Sequence, residues 1–233
     1  MAETTARATP TDAAAHAGRA PSRDLHHQFD TVEQQRDAST LGMWVFLVTE
    51  ILFFGGLFLA YTVYRAQYPL AFAEASRHLD ITFGTFNTAV LIISSLTMAL
   101  AVYSASLGRR KAIIGFLLAT MALGAVFLGV KAVEYAHKFH DHLVPGPGFR
   151  FPGAGARQSE IFFSLYFAMT GLHAAHMIIG IGLLTVLVLQ ARKGRYGPEY
   201  YTPVEVCGLY WHFVDIVWIF LFPLLYLIGR HIH

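Results

Sequence analysis

Five long apolar stretches restrict what this chain can fold into more than any other feature of its sequence. They cover roughly residues 41–64, 83–107, 112–135, 160–190 and 205–229. Each reaches the ~20 residues that an α-helix needs to cross the hydrocarbon core of a bilayer. Their apolar character is continuous rather than alternating, which excludes a membrane β-barrel. The sequence therefore predicts an all-α fold, a polytopic membrane protein in which residues 41–233 form a bundle of five transmembrane helices.

The composition agrees with a chain that is solvated mainly by lipid. Of the 233 residues, 55% are hydrophobic and 14% are charged, and the mean hydropathy is +0.47. A soluble domain has about 25% charged residues. The net charge of +2 gives no reason to expect a nucleic-acid partner. Cys207 is the single cysteine, which excludes an internal disulfide and any zinc, iron–sulfur or copper site that needs several thiolates from this chain.

The first 40 residues form a polar N-terminal tail. They contain no apolar core of the kind that a signal peptide requires. A segment with so few apolar residues cannot offset the entropy of ordering, so the tail is predicted to be largely disordered. A short helix near residues 25–36 and an organelle transit peptide are the alternatives.

Basic residues are concentrated on one side of the predicted bundle. With five spans, the tail and the loops that follow the second and fourth spans share a side. Those two short loops contain Arg109, Arg110, Lys111, Arg192, Lys193 and Arg195. By the positive-inside rule the N-terminus is predicted to be cytoplasmic and the C-terminus to lie outside.

Ionisable side chains inside the spans are the candidate functional residues, because such groups are costly in a membrane. At about 1.5 Å per residue, Glu50 lies about 13 Å from the cytoplasmic end of its span, His212 about 10 Å and Asp215 about 15 Å. The fourth span runs inward, which places His173 and His176 in its cytoplasmic half. These five groups are therefore predicted to share one layer of the membrane.

The spacing of these residues allows two interpretations. His173 and His176 are i,i+3 neighbours, as are His212 and Asp215, and Glu205 lies on the same face seven residues before His212. A buried hydrogen-bonded cluster that locks helix packing is one interpretation, and spacing alone favours it. A proton route or a cofactor site is the other. Axial haem ligation needs histidines on opposing helices, so no haem or metal is predicted in this chain.

The segment beyond the third span has its own polar groups. Glu134 lies at the outer end of that span, where water is near, and is predicted to be an interfacial carboxylate. His137, His140 and His142 follow, and residues 145–155 are rich in Gly and Pro, which predicts an irregular loop. The three histidines can bind a metal, but solvated loop residues are the prediction. Glycines within the spans are predicted to allow close helix contacts, and these are Gly55, Gly56, Gly124, Gly129, Gly171, Gly180 and Gly182.

Several motifs resemble one known family. The string Trp211-His-Phe-Val-Asp-Ile-Val-Trp218 closely resembles the signature of subunit III of the haem–copper oxidases. Thr49-Glu-Ile-Leu-Phe-Phe54 and Gly171-Leu-His-Ala-Ala-His-Met-Ile-Ile-Gly180 are similar to further family motifs. Shorter matches occur at Phe86-Asn-Thr88, Ser94-Ser95 and Glu134-Tyr135. The resemblance runs from about residue 41 to residue 230, in order, through all five spans.

The resemblance implies a non-redox subunit III of a cytochrome c oxidase, with no catalytic residue, haem or copper of its own. Haem and copper would belong to the partner subunits I and II, and phospholipid would bind between the helices. Such subunits support proton uptake into the catalytic subunit and protect it from inactivation during turnover. The polar tail in place of two further helices resembles the five-span bacterial form, which implies a bacterial plasma membrane and leaves one wall of the family's lipid cleft missing.

Glu50 corresponds to the family's buried carboxylate, which reacts with hydrophobic carbodiimides. His173, His176, Glu205, His212 and Asp215 fall on internal polar positions of the family. Three alternatives stay open. The chain is similar enough to serve a quinol oxidase or a nitric oxide reductase, it can be a stand-alone transporter that uses the buried polar groups, or it can be an assembly scaffold.

Overall fold

The computed structural model describes residues 28–152 and 155–227 of the chain. Helices account for most of these residues and no strand occurs among them. Five of the helices are long and apolar enough to cross a membrane. The predicted all-α, five-helix membrane fold is confirmed.

The described residues contain six helices, of which α2 is short. Their bounds are α1 Val32–Gln67, α2 Pro69–Arg77, α3 Ile81–Ser106, α4 Arg110–His140, α5 Ala156–Arg192 and α6 Thr202–Phe222. A π-helical turn, Pro223–Leu227, continues α6. The short helix α2 was not predicted from the sequence, and α1 begins at Val32 rather than near residue 41. The C-terminal residues 228–233 and the tail residues 1–27 lie outside the described part of the chain, so the predicted disorder and sidedness of the termini stay predictions.

Residues 28–41 are the described part of a first unit of the chain. Thr31 ends the non-helical segment, and its hydroxyl oxygen accepts a hydrogen bond from the backbone N–H of Gln34 at 3.1 Å. The Gln34 side chain in turn accepts from the backbone N–H of Asp30 at 2.9 Å. The first of these bonds satisfies an N–H group that the first helical turn would otherwise leave unpaired, and the second holds the preceding residue in place, so together they explain why α1 starts where it does.

Residues 42–227 form the second unit, in which α3, α4, α5 and α6 pack side by side in a ring. The part of α1 in this unit packs against α5 and α6 through a few large side chains. Phe54 contacts the rings of His176 and Phe213, and the Tyr61 hydroxyl donates to the Leu224 carbonyl at 2.7 Å. Only 11% of the most apolar stretch of α1 is buried, compared with 56% in α6. Much of α1 is therefore left to face lipid or another subunit.

The centre of the ring is filled by Trp211 of α6. A side chain at Gly124 of α4 or Gly180 of α5 would lie 2.9 Å from its indole ring, so both positions require glycine for this approach. Gly55, Gly56, Gly129 and Gly182 have no neighbour within 4 Å of an added Cβ, so the contacts predicted there are absent from the described residues.

Two short connections on the side predicted to be cytoplasmic are tightly formed. Gly108 and Gly194 follow α3 and α5 with φ angles of +67° and +73°, a conformation that glycine adopts without strain and that closes helix C-termini. Between α5 and α6, the Tyr196 hydroxyl donates to the side chain of Gln190, and burial raises the pKa of Tyr196.

On the opposite side, the described residues of the Gly/Pro-rich segment form turns without a helix or strand, as predicted.

Candidate functional site

Glu50 of α1 and His176 of α5 lie within ion-pair distance of each other. The His176 Nε2 and Glu50 Oε2 atoms are 3.1 Å apart, and the two side chains are 11% and 19% exposed. The other imidazole nitrogen, Nδ1, lies 2.9 Å from the Leu172 carbonyl oxygen one turn earlier on α5. Phe54 and Tyr210 pack against the imidazole ring, which fixes its plane. The structure therefore brings together two residues that the sequence placed in the same membrane layer.

The hydrogen bonds of His176 determine how many protons the pair holds. A carbonyl oxygen only accepts, so Nδ1 must carry a hydrogen and donate it to Leu172. The contact at Nε2 then requires one further proton between the two side chains. It belongs either to an imidazolium beside a carboxylate or to a neutral carboxyl that donates to Nε2. In both forms the pair is electrically neutral and shares one proton.

Because the pair shares this proton, His176 is expected to slow the reaction of the Glu50 carboxyl group with carbodiimides. A hydrophobic carbodiimide takes the proton of a carboxyl group onto its nitrogen while the carboxylate oxygen bonds to its central carbon. His176 competes for that proton. His176→Leu is therefore expected to increase carbodiimide labelling at Glu50 by about tenfold, the effect of removing about 1.4 kcal/mol of charge-assisted hydrogen bonding.

Mass spectrometry of labelled peptides, as a function of reaction time, measures this effect. His140→Leu is the matched control because His140 is exposed in the last turn of α4. Glu50→Gln should remove the labelled peptide altogether. Equal labelling rates in the wild-type chain and in His176→Leu would show that His176 does not share the proton.

His212 and Asp215 lie on α6 opposite Ser95 of α3. The Ser95 hydroxyl is hydrogen-bonded to His212 Nδ1 at 2.8 Å. The Asp215 side chain is 3% exposed and lies beside the same Ser95 hydroxyl. Across residues 28–152 and 155–227, no hydrogen bond joins this group to the Glu50–His176 pair. The predicted layer of polar groups is thus divided into separate sites.

The remaining two candidate residues have different surroundings. His173 is fully buried, its ring packs against Phe127 and Trp218 at centroid distances of 5.2 and 5.3 Å, and neither ring nitrogen has a partner among the described residues. Glu205 lies in the first turn of α6, where the helix dipole favours a negative charge. His173 is therefore enclosed by aromatic rings, whereas Glu205 stands at the start of a helix.

Glu134 belongs to a buried polar cluster that the sequence analysis overlooked. Lys131 Nζ donates to Glu134 Oε2 at 2.9 Å, to the Tyr226 hydroxyl at 3.0 Å and to the Tyr166 hydroxyl at 3.1 Å. The Tyr226 hydroxyl donates to Glu134 Oε1 at 2.6 Å. Lys131 and Glu134 are 3% and 2% exposed. The expectation of a water-facing Glu134 therefore differs from the structure, because Lys131 and Tyr226 cover it. The i,i+3 spacing of Lys131 and Glu134 was the signal that could have revealed the pair.

No group of three His, Cys, Asp or Glu side chains within the described ranges is arranged to hold a metal ion. This includes the segment of His137, His140 and His142. The polar side chains in the spans instead form pairs and small networks at membrane depth. Such groups can hold a proton, bind a hydrogen-bonding ligand or fix helix packing.

The sequence profile described as cytochrome c oxidase subunit III matches residues 24–230 of the chain. The chain belongs to this family. It is a multi-pass membrane protein and subunit III of a haem–copper terminal oxidase, which works in a complex with other oxidase subunits. The family match covers α1 to α6 and includes every candidate residue discussed above.

Relatives carry the names of two kinds of oxidase. The chain is 34% identical to cytochrome c oxidase subunit 3 of Thermostichus vulcanus, over 86% of this chain and 92% of the relative. It is 31% identical to quinol oxidase subunit 3 of Bacillus subtilis, over 81% and 86%. It is 30% identical to cytochrome bo(3) ubiquinol oxidase subunit 3 of Pseudomonas aeruginosa, over 90% and 94%. The family is thus shared by enzymes with different electron donors.

Proposed function

We propose that this chain is the non-redox subunit III of a proton-pumping cytochrome c oxidase and that it stabilises the catalytic subunit, binds phospholipid and supports proton uptake. The family match is the observation that carries the proposal. The buried Glu50–His176 pair supports the finer role, because a proton held at membrane depth next to a lightly buried helix is accessible to a neighbouring subunit. Its partners would be subunits I and II, which hold the haem and copper, together with membrane lipid.

We further propose a bacterial plasma membrane, with the N-terminus cytoplasmic and the C-terminus outside. The basic residues at the tight connections around Gly108 and Gly194 support this orientation. A quinol oxidase is the second candidate, because the relatives from Bacillus subtilis and Pseudomonas aeruginosa bear that name. The donor would be recognised by other subunits.

A pull-down of this chain in mild detergent, followed by a reduced-minus-oxidised spectrum, tests the proposal. Haem and large multi-span partners should co-purify, and the complex should oxidise reduced cytochrome c in preference to a quinol. Preference for the quinol would select the second candidate. A haem-free single band, from membranes in which the oxidase is shown to survive, would instead favour a stand-alone transporter.

Replacing Glu50 with glutamine tests the role of the shared proton. The substitution keeps the size of the side chain and removes its ability to exchange a proton. The assembled oxidase is expected to inactivate about fivefold sooner during turnover, because about 1 kcal/mol of hydrogen bonding is lost beside the catalytic subunit. Turnovers before inactivation and the pumped-proton ratio are the quantities to measure.

Glu74→Gln is the matched control, since Glu74 is an exposed carboxylate of the short helix α2. Wild-type lifetime and pumping in Glu50→Gln would remove any functional role for this carboxyl. A loss of complex yield at unchanged turnover per complex would instead identify the pair as part of an assembly scaffold.

A further inference from the structure

A pocket opens at the end of the bundle that carries α2, between the start of α3 and the last turns of α4. Its volume is about 300 Å³, which is enough for several water molecules at about 30 Å³ each. Its rim consists of exposed side chains that can bind or release a proton, and these are His78, Asp80, His137, His140 and Asp141. A rim of this chemistry suits water and protons rather than an apolar ligand.

Two buried charged residues also line this pocket. Lys138 is 6% exposed and Glu134 is 2% exposed. The Lys138 ammonium donates to the His78 carbonyl at 2.5 Å, which joins the last turns of α4 to the end of α2. Glu134 is also hydrogen-bonded to Lys131 and Tyr226 in the interior of the bundle. Glu134 therefore belongs both to the lining of the pocket and to the buried polar cluster.

The charges around the pocket favour the uptake of a proton. Lys131 balances Glu134, and the Lys138 ammonium offsets one of the two aspartate charges of the rim. The loop after α4 meets the His78 ring with the uncharged ring of Phe151. On α2, one acidic and one basic residue precede His78, and these are Glu74 and Arg77. The lining therefore has an excess of negative charge, which favours the protonated form of its imidazoles, the side chains whose charge ordinarily changes between pH 5 and 8.

The buried cluster retains contacts for the Lys131 ammonium when Glu134 takes up a proton. Lys131 Nζ also donates to the hydroxyls of Tyr166 and Tyr226. It lies between 4.9 and 5.7 Å from four aromatic ring centroids, those of Tyr135, Tyr166, Trp218 and Tyr226. Aromatic ring faces attract a cation. Protonation of Glu134 therefore leaves the ammonium with two hydroxyl acceptors and several rings around it.

We propose that this pocket is a proton-exchange site that connects Glu134 with the aqueous phase at the α2 end of the bundle. An imidazolium of the rim gives its N–H proton to a carboxylate oxygen of Glu134, directly or through water in the pocket. The neutral imidazole then takes up a proton from bulk water, and the reverse steps release it. The proposal depends on neither the orientation of the chain nor the class of oxidase, so it can fail while the proposed function stands.

Labelling with a water-soluble, cationic carbodiimide tests this access. The full chain in lipid nanodiscs is treated with the reagent and glycine ethyl ester, and the modified peptides are quantified by mass spectrometry over time. The exposed Glu74 should be labelled fastest. Glu134 should be labelled more slowly, but faster than Glu50, which lies inside a span. Labelling of Glu134 no faster than that of Glu50 would overturn the proposal.

Two tryptophan substitutions test whether the reagent arrives through the pocket. His137→Trp enlarges a side chain that faces the Phe83 ring, 6.3 Å away, and should slow the labelling of Glu134 to the rate of Glu50. Ala136→Trp is the control, because Ala136 is the exposed neighbour on α4 and does not line the pocket. Unchanged labelling of Glu74 shows that each variant keeps its fold at this end. Equal labelling of Glu134 in the wild-type chain and in His137→Trp would contradict access through the pocket.

The role of the imidazoles is tested by the variant His78→Gln/His137→Gln/His140→Gln, which keeps the pocket open. The ratio of Glu134 to Glu74 labelling cancels the pH dependence of the reagent. In the wild-type chain this ratio should rise roughly tenfold between pH 8 and pH 6, because imidazole groups take up protons in that interval. In the triple variant the ratio should stay constant. The same rise in both proteins would show that the imidazoles do not carry the proton.

Discussion

Replacing Trp211 with alanine is expected to lower the free energy of unfolding by about 3–5 kcal/mol, the usual cost of removing a large buried aromatic side chain. Trp211 is fully buried, and its indole ring lies between Gly124 and Gly180 on two different helices. In a membrane, helices associate through such close packing rather than through the hydrophobic effect. The substitution also removes the hydrogen bond from Trp211 Nε1 to the Ser94 hydroxyl at 3.0 Å.

Thermal unfolding of the full chain in mild detergent measures this effect. Trp44→Ala is the matched control, because Trp44 is 54% exposed, and its substitution should change stability by no more than about 0.5 kcal/mol. Similar losses in the two variants would show that Trp211 does not hold the ring of helices together. Gly180→Leu should also destabilise the chain. In this variant Trp211 is kept, and the atoms added at position 180 would overlap its indole ring.

Breaking the Lys131–Glu134 pair should have an effect of similar size. Lys131→Met leaves a buried carboxylate without its cation, and Glu134→Gln leaves a buried ammonium without its anion. Each is expected to cost about 3–5 kcal/mol. The double variant Lys131→Met/Glu134→Gln should lose less than the sum of the two, since it leaves no uncompensated charge.

The same unfolding measurement on the four proteins of this double-mutant cycle gives the coupling energy. Lys111→Met is the control, because Lys111 is exposed at the start of α4. Additive losses would contradict the pairing. The Tyr166 and Tyr226 hydroxyls, which share the Lys131 ammonium, explain why one pair can be buried this completely.

The number and type of long helices could be predicted from the sequence because each span is itself an apolar stretch long enough to cross a membrane. The short helix α2 could not be predicted, and helix near residues 25–36 was only an alternative, since the stability of these segments comes from capping and packing rather than from apolar length. The tail, the termini and their sidedness stay predictions.

For the candidate residues, too, only the features that depend on nearby sequence could be predicted. The membrane layer of Glu50 and His176 could be predicted from counting residues along each span. Their pairing depends on the packing of α1 against α5, which the sequence does not state. The Lys131–Glu134 pair was visible as an i,i+3 spacing, but Tyr226, which completes its burial, lies 92 residues beyond Glu134. The contact of the Ser95 hydroxyl with His212 depends on the packing of α3 against α6, which only coordinates reveal.

Glu50 and His176 are synthesised at different times, because they lie far apart in the sequence. The two residues are 126 positions apart. At ribosomal rates of about 5–20 residues per second, His176 is synthesised about 6–25 s after Glu50. During that interval α1 must remain in the membrane through its own apolar character, while the carboxyl group of Glu50 lacks this partner. The contact that joins α1 to α5 cannot form until α5 has been synthesised, and a chain truncated before α5 would leave the carboxyl group of Glu50 without this partner.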